Sequence, residues 1–480
     1  MCNGRSYAYE ELAGYGYVVS DAVDKFGDTL GGLGSSLHLE QGAWEKRPNG
    51  SYSGILWALP DRGWNTEGTL NFNPRVHKFS ITFTPQSDAT VESPSGPNLY
   101  FNYLDTIKFS GPDGTPCTGL DGDATGHLSF PGFPDLPVAT YTGDGFGGEG
   151  PGGKIIPVDS EGLYVNDDGT FWVSDEYGPY IYLFAADGKM LAAISPPAAI
   201  LPMRNGTISF SADSPPRYVD NGEGNDVIPG DPDSGRFEGL TGSADGKSLY
   251  VLLQAATVQE GGLDKHTQRY TRFLKYDVSD RLSPVYAGEW FVPLPQYNDP
   301  TAKPSKNPKI AAQSEVLALD NGQFFILSRD SGAGHGQDES LSLYRQIDVF
   351  DISAATDVKT AGDYDCAECA VASADGVLGE DIVAATYCGF LDFNVNLQLN
   401  RFGLQNGGDQ DQYLLNEKWE SLGMVPVDPK APDGEFFVFS LSDNDFITQG
   451  GFMNSGALPY SHASGFNLDN QALVFKIRIS

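Results

Sequence analysis

Short runs of β-branched and aromatic residues recur along the chain in pairs, and each pair is split by an Asn-Gly or Asp-Gly step. In one such segment, Glu161-Gly162-Leu163 opens the first run, Asp168-Gly169 interrupts it, and residues 171–176 form the second run. Asn-Gly and Asp-Gly supply the positive φ angles that tight hairpin turns require. The pattern therefore predicts a β-hairpin.

This hairpin pattern repeats along the sequence. Four copies begin at Glu161, Glu238, Glu315 and Glu420 and turn at Asp168-Gly169, Asp245-Gly246, Asn321-Gly322 and Asp433-Gly434. A looser fifth copy begins near Gly32 and turns at Asn49-Gly50. The spacing exceeds the roughly 40–45 residues of a bare four-stranded propeller blade, so long Gly- and Pro-rich loops are expected at 111–153, 213–235 and 361–412.

Repeated hairpins of this kind favour an all-β fold, a β-propeller. Five recognised copies and one unrecognised blade predict six blades in a single domain spanning residues 1–480. Further strands are expected at 75–83, 180–184, 273–277 and 343–350. The C-terminal run 472–479 alternates apolar and charged residues near its end, which predicts a half-buried edge strand that closes the ring against the first blade.

Composition supports many short strands and narrows the range of partners. The chain has 58 glycines, 31 prolines and 12% aromatic residues, a mixture that suits turns and strands better than long helices. The net charge of −34 repels nucleic acid and anionic membranes and favours divalent cations. No apolar run is long enough to span a membrane. We expect a monomer that binds neither nucleic acid nor membrane.

The cysteines and the N-terminus indicate a secreted chain. Met1-Cys2-Asn3 runs straight into polar sequence, which we interpret as a mature chain with an added methionine. The CxxC spacing predicts a local disulfide between Cys366 and Cys369, with Cys388 as an alternative partner. Cys2 and Cys117 could form a second bridge, leaving one thiol. Two sequons, Asn49-Gly50-Ser51 and Asn205-Gly206-Thr207, predict a glycoprotein.

The repeat also predicts a site. In an antiparallel hairpin the start of the first strand lies beside the end of the second, so Glu161 should lie near Asp175 and Glu176. The innermost strands of a propeller run the same way along the axis, and their starts converge on one face of the channel. Clustered carboxylates must take up protons, pair with arginine or bind a cation. Oxygen ligands favour calcium.

Candidate roles follow from this convergence. The candidate catalytic residues are Glu161, Asp175, Glu176, Glu238, Glu315 and Asp330. The candidate substrate-binding residues are Asp61, Arg62, Arg236, Arg329, His335 and Asn444. The candidate ligands of a divalent cation, with calcium favoured, are Glu161, Glu238, Glu315, Glu420 and Asp443. The structural alternative is that these carboxylates cap turns or tie the sheets together.

Several of these blocks, taken in order, resemble a known family. The blocks are 59–63, 159–163, 172–178, 236–241, 327–330 and 441–446. They are similar to the phytase-like family, the domain described as "esterase-like activity of phytase", over roughly residues 30–480. The resemblance implies a propeller-like domain, often secreted, that cleaves phosphoesters or esters. Where the family usually shows Glu-Arg-Asp, this chain has Ser328-Arg329-Asp330, so one carboxylate is absent.

Three functions compete on this evidence. The first is a calcium-assisted hydrolase of a phosphorylated or acidic carbohydrate-like ester, in which Arg62 and Arg329 hold the anionic substrate and a carboxylate activates water. The second is a lactonase-type esterase. The third is a non-catalytic propeller that binds a polysaccharide or a protein.

Overall fold

Four-stranded antiparallel sheets make up most of the molecule. The structure is a computed structural model, and it describes residues 1–204, 207–212, 214–218, 236–361, 364–366 and 369–480. Three sheets are separate and four-stranded, and a ten-stranded sheet consists of two further four-stranded units with two short strands added. A single parallel pair, Gly16 with Leu99, joins those two units.

We number the five sheets in chain order. Sheet 1 is Ser36–Leu39, Tyr52–Leu59, Arg75–Phe83 and Leu99–Lys108. Sheet 2 is Ser160–Val165, Phe171–Asp175, Ile181–Phe184 and Met190–Ile194. Sheet 3 is Phe237–Gly242, Ser248–Leu253, Tyr270–Asp277 and Val285–Pro293. Sheet 4 is Ala312–Ala318, Gln323–Arg329, Arg345–Asp351 and Thr386–Asp392. Sheet 5 is Gly423–Pro426, Glu435–Asp443, Asn470–Ile479 and the N-terminal Tyr7–Val18.

The remaining elements are short. The other strands are Glu45–Lys46, Ala139–Tyr141, Gly153–Ile155, Met203–Arg204, Thr207–Ile208, Gln296–Tyr297, Lys309–Ile310, Lys418–Trp419, Gly451–Met453 and Leu458–Tyr460. The α-helices are Val358–Ala361 and Asn396–Leu399, and the 3-10 helices are Gln41–Ala43, Val258–Glu260, Pro304–Lys306 and Asn400–Phe402. No helix in the described ranges is long and apolar enough to cross a membrane.

The predicted hairpins are present, and their turns use the glycines that the sequence provides. Each sheet begins with one hairpin copy, and the runs at 75–83, 180–184, 273–277 and 343–350 supply the third strands of sheets 1 to 4. Gly169, Gly246, Gly322 and Gly434 all have positive φ. This confirms the all-β prediction.

Five hydrophobic clusters fill the spaces between neighbouring sheets. One cluster joins sheets 1 and 2, the next joins sheets 2 and 3, and the series continues through sheets 4 and 5. A further cluster joins sheet 5 back to sheet 1, including Phe439 of sheet 5 and Phe83 of sheet 1. The sheets therefore contact one another in a cyclic, propeller-like order.

Two predictions about this architecture are corrected. The described residues form five such sheets, where six blades were expected. Much of the Gly- and Pro-rich stretch 111–153 forms turns and a three-residue ribbon, because so many turn residues leave no run long enough for a blade. The strand Asn470–Ile479 is interior, not an edge, and it pairs with Glu435–Asp443 on one side and Tyr7–Val18 on the other. The N-terminal strand therefore completes the last sheet.

The disulfides partly match the prediction. Cys366 and Cys369 form the expected local bridge. Cys2 pairs with Cys388, whereas Cys117 is a buried free thiol, so the expected Cys2–Cys117 bridge is wrong. The cause is the N-terminal strand, which lies outermost in sheet 5 against the outer strand of sheet 4 and brings Cys2 to Cys388. The sequon at Asn205 lies outside the described residues.

The long-range disulfide should matter far more to stability than the local one. Cys2 and Cys388 are 386 residues apart, and Cys366 and Cys369 are 3 apart. Chain-entropy arguments assign about 6 kcal/mol to a closed loop of this length and about 2 kcal/mol to a very short one. We expect the double change Cys2→Ser and Cys388→Ser to lower the free energy of unfolding by roughly three times the effect of Cys366→Ser with Cys369→Ser, as measured by denaturant titration. Equal effects would show that the N-terminal strand holds its place without the bridge.

Candidate functional site

The hairpin geometry gathers acidic side chains at one end of the first strands. Asp159, Glu161 and Glu176 have carboxylate oxygens within 4.8 Å of one another, and we call them the Glu161 group. Asp61, Asp443 and Asp445 meet the same criterion, and we call them the Asp443 group. The two groups are neighbours, because Asp61 precedes Arg62, which pairs with Asp159 at 2.6 Å (Nη1 to Oδ2).

Glu161 occupies the most crowded position. It is 7% exposed, and among the described residues no hydrogen bond holds its carboxylate. Burial raises its pKa well above the usual range, and the charges of four carboxylates act in the same direction, those of Glu238, Asp159, Glu176 and Glu420. An isolated buried carboxylate is costly unless a proton or a cation neutralises it.

The carboxylates beside Glu161, those of Asp159 and Glu176, have arginine partners that balance their negative charge. Arg62 also donates its backbone N–H to Asp159 at 3.1 Å, and Arg236 Nη1 lies 2.9 Å from Glu176 Oε1. Burial raises the pKa of Glu176, but Arg236 and Arg62 more than offset it and the pKa falls below its usual value. Burial raises the pKa of Asp159 to about 7 despite Arg62.

Glu238 and Glu420 extend the Glu161 group towards sheets 3 and 5. Gln254 donates its side-chain amide to Glu238, whose pKa is raised well above normal by burial and by Glu176 and Glu420. Arg329 pairs with Glu420 and lies 3.6 Å (Nη1 to Oε1) from Glu417. The Nε–H of Arg329 is buried with no partner in the described part of the chain. The Arg329 guanidinium therefore has one N–H group that donates no hydrogen bond to the described residues.

The Asp443 group has a different cation. Lys418 Nζ lies 2.6 Å from Asp445 Oδ1 and 3.3 Å from Asp443 Oδ2. Burial raises the pKa of Asp443 to about 7 although Lys418 opposes the rise. Asp61 accepts hydrogen bonds from the Gly63 N–H at 3.0 Å and from the Asn65 side chain at 3.1 Å.

Two predicted site residues make several hydrogen bonds to the surrounding loops. Asp175 is fully buried and accepts hydrogen bonds from the backbone N–H groups of Asp159 and Tyr177 and from the Tyr182 hydroxyl. Asn444 accepts from the Gly32 and Phe446 N–H groups and donates to the Leu468 carbonyl. Both side chains are used up in fastening loops.

Asp330 and His335 belong to the loop that follows sheet 4's second strand. Asp330 accepts hydrogen bonds from the Ser342 hydroxyl at 2.7 Å and the Leu343 N–H at 2.6 Å, which closes that loop. The His335 ring packs edge-on against Phe466, and burial lowers its pKa. Neither side chain joins the two acidic groups.

Glu315 lies deeper, towards the opposite end of the first strands. It accepts hydrogen bonds from the Ser36 hydroxyl at 2.5 Å and from the N–H groups of Val316 at 2.9 Å and Leu240 at 3.1 Å. It also lines a cavity of about 890 Å³ that opens among the hairpin turns and includes Asn166 and Ser243. This cavity lies at the far end from the acidic groups, so Glu315 does not join them.

Comparison with known proteins assigns the chain to a family. The profile of the phytase-like family, described as "Esterase-like activity of phytase", matches residues 48–446. An "Uncharacterized secreted protein" of Arthroderma benhamiae is 50% identical over 475 residues, which is 96% of this chain and 92% of that protein. The chain belongs to the phytase-like family. It is a secreted, extracellular protein, as predicted, and its disulfides fit that location.

Solved structures are only distantly similar to this phytase-like protein. PhoX from Pseudomonas fluorescens, solved with vanadate, is 10% identical with a TM-score of 0.33 and covers 99% of this chain and 96% of its own. An N-acetylgalactosamine deacetylase from F. plautii, solved with a blood group B trisaccharide, is 9% identical with a TM-score of 0.33 and covers 98% and 95%. Neither likeness is close enough to carry an argument about function.

Three residues of the two acidic groups and their cationic partner were not among the candidates: Asp159, Lys418 and Asp445. Asp159 and Lys418 lie two positions before Glu161 and Glu420, and side chains two positions apart point to the same face of extended chain. Applying that period of two would have found both. Asp445 follows Asp443 in a turn, where its left-handed backbone, with φ of 50°, breaks the extended chain, so the period of two does not indicate it.

The metal-free protein should lose stability as the pH rises through neutrality. Asp159 and Asp443 titrate at about 7 in the folded protein, against about 3.9 in an unfolded chain. Their raised pKa values stabilise the fold fully below about pH 4, and this contribution is lost as the pH rises through about 7. We expect the melting temperature in chelator to fall between pH 5 and pH 8, and to fall less with calcium at equal ionic strength. Parallel profiles with and without calcium would contradict this.

Replacing Glu161 tests whether its charge is uncompensated. Because no side chain in the described ranges neutralises this carboxylate, Glu161→Gln should raise the free energy of unfolding in chelator at pH 8 by on the order of 1 kcal/mol. The same change should abolish stabilisation by calcium. Glu315→Gln is the contrast, since that carboxylate accepts three hydrogen bonds; it should lower stability and leave the calcium response intact. Destabilisation by both variants would mean that Glu161 is a structural residue.

Proposed function

We propose that this phytase-like protein is a secreted, monomeric hydrolase that cleaves a phosphorylated or acidic carbohydrate-like ester with the help of calcium. The reaction takes place at the acidic mouth of the central channel, in a single-domain five-bladed propeller. The observation that carries the proposal is Glu161, a buried carboxylate that accepts no hydrogen bond from the residues the structure describes, among other carboxylates and beside arginine side chains.

The donor set suits calcium. Asp159, Glu161 and Glu176 offer only carboxylate oxygens, which hard cations such as calcium prefer over the nitrogen and sulfur ligands typical of zinc. Glu161 has no competing partner among the described residues, so its negative charge would hold the ion. A bound calcium ion would polarise the ester oxygen and neutralise the negative charge that develops there.

Besides the calcium ion, Arg62 and Arg329 would bind the anionic group of the substrate. Arg329 has an unpartnered Nε–H, and Arg62 likewise has a buried Nε–H without a partner in the described residues. A guanidinium can donate two parallel hydrogen bonds to a phosphate or carboxylate. In so acidic a protein, these donors are what would hold an anionic group at this end of the channel.

Glu238 is the group best suited to move a proton. Its carboxyl is buried, its pKa is raised well above normal, and Gln254 fixes its orientation. A carboxyl of this kind can accept a proton from attacking water and return it to the leaving oxygen. The family description, which names an esterase-like activity, agrees with hydrolysis of an ester.

A substrate screen tests the proposal directly. The purified protein is incubated with phosphomonoesters, esters of uronic acids and lactones, in calcium and in chelator. We expect turnover of an anionic ester that needs calcium and is lost in Glu161→Gln. Glu40→Gln is the matched control, because Glu40 pairs with Lys78 at the opposite end of the channel. Turnover of lactones alone would favour a lactonase-type esterase. Retained sugar or protein binding without any turnover would identify a binding protein.

Arg329 should be required as a guanidinium, not merely as a positive charge. Lysine keeps the charge, but its single ammonium lacks the planar array of N–H donors with which a guanidinium can pair with Glu420 and bind an oxyanion at the same time. We expect Arg329→Lys to lower kcat/KM on the substrate that the screen identifies by 10-fold or more, without changing the melting temperature much. Arg478→Lys, in a surface pair with Glu10 and Glu435, is the control. Equal activity of Arg329→Lys and the parent would remove Arg329 from the site.

A further inference from the structure

The two acidic groups at the channel mouth are alike in their ligands but differ in what balances them. Each brings three carboxylates within 4.8 Å. In the Glu161 group the arginines pair at the edges, with Asp159 and with Glu176, and Glu161 pairs with no residue that the structure describes. In the Asp443 group a single ammonium, that of Lys418, contacts two of the three carboxylates.

The backbone fixes Lys418 in this position. Lys418 and Trp419 form a two-residue strand, and Lys418 lies directly opposite Asp443 in its register. Trp419 is fully buried and donates its indole N–H to the Asn416 carbonyl at 3.0 Å. The ammonium therefore reaches the carboxylates from an anchored strand and not from a free surface loop.

The opposite side of the group is held just as firmly. Asp445 has a left-handed backbone, with φ of 50°, and its N–H donates to Asp443 Oδ1 at 2.7 Å. Asn444, between them, is fastened to Gly32 and Leu468. Asp443 and Asp445 thus face Lys418 from a loop that has little freedom to move away.

We infer that Lys418 is a built-in cation that permanently fills the Asp443 group, so the channel mouth takes one divalent cation and not two. Two-metal hydrolases place a second ion beside the first to hold the same oxyanion. Here the lysine ammonium replaces that second ion. The location of the single ion at the Glu161 group rests on the proposed function, whereas the role of Lys418 at the Asp443 group does not.

Counting bound calcium ions tests this inference. Isothermal titration and native mass spectrometry are run on the full chain in 0.15 M KCl, which screens weak binding to the acidic surface. The parent should bind one calcium ion. Lys418→Met should bind one more, because it exposes three carboxylates already within ligand distance of one another. Lys309→Met is the matched control: it removes the same charge and breaks a 2.6 Å pair with Asp299, but leaves no group of three carboxylates. It should bind the same number as the parent.

The outcomes separate the inference from the proposed function. Two ions in the parent, or no additional ion in Lys418→Met, would overturn the inference. No ion in the parent and one in Lys418→Met would refute the proposed calcium site but support the role of Lys418. If Lys418→Met folds only when calcium is added, while Lys418→Arg folds without it, the ion replaces the ammonium and the inference is supported. If Lys418→Met fails to fold with or without calcium, the ion cannot replace the ammonium and the inference is overturned.

Discussion

Crowding of like charges at one end of the first strands is the constraint on which the site depends. Carboxylates from sheets 2, 3 and 5 reach the same small region, where burial weakens their solvation and strengthens their repulsion. Arginine side chains pair with Asp159, Glu176 and Glu420, and a lysine pairs with Asp443 and Asp445. Glu161 has no cationic partner in the part of the chain that the structure describes, so a proton or a bound cation is left to neutralise it.

The fold explains why the crowding arises. Every sheet opens with the same hairpin, and the first strands of sheets 1 to 4 pack against one another in order, with the first strand of sheet 5 packing against that of sheet 1. A residue type placed at the start of each copy therefore meets its equivalents in the other sheets. The hydrophobic clusters between the sheets supply the stability that this arrangement requires, since burial of apolar surface is the dominant favourable contribution to folding. The Cys2–Cys388 bridge links the segment before the N-terminal strand of sheet 5 to the outer strand of sheet 4.

Local sequence patterns predicted the hairpins and much of the candidate site. The predictions that were wrong depend on contacts between residues far apart in the sequence. The hairpins and their turns follow from Asn-Gly and Asp-Gly steps, and the convergence of Glu161, Glu238 and Glu420 follows from the repeat. The pairing of Cys2 with Cys388 and the interior place of Asn470–Ile479 depend on which strands meet across the whole chain, which no local pattern encodes. Asp175 and Glu315 have the right residue type at the right position, but their hydrogen bonds to the backbone are visible only in three dimensions.

A crystal structure grown in calcium, with anomalous scattering data, would show directly how many ions bind and where. We expect one anomalous peak, among the carboxylates of Asp159, Glu161 and Glu176, and none beside Lys418. A structure at neutral pH or above without a peak at the Glu161 group, in which Arg62 or Arg236 turns to pair with Glu161 instead, would contradict this expectation.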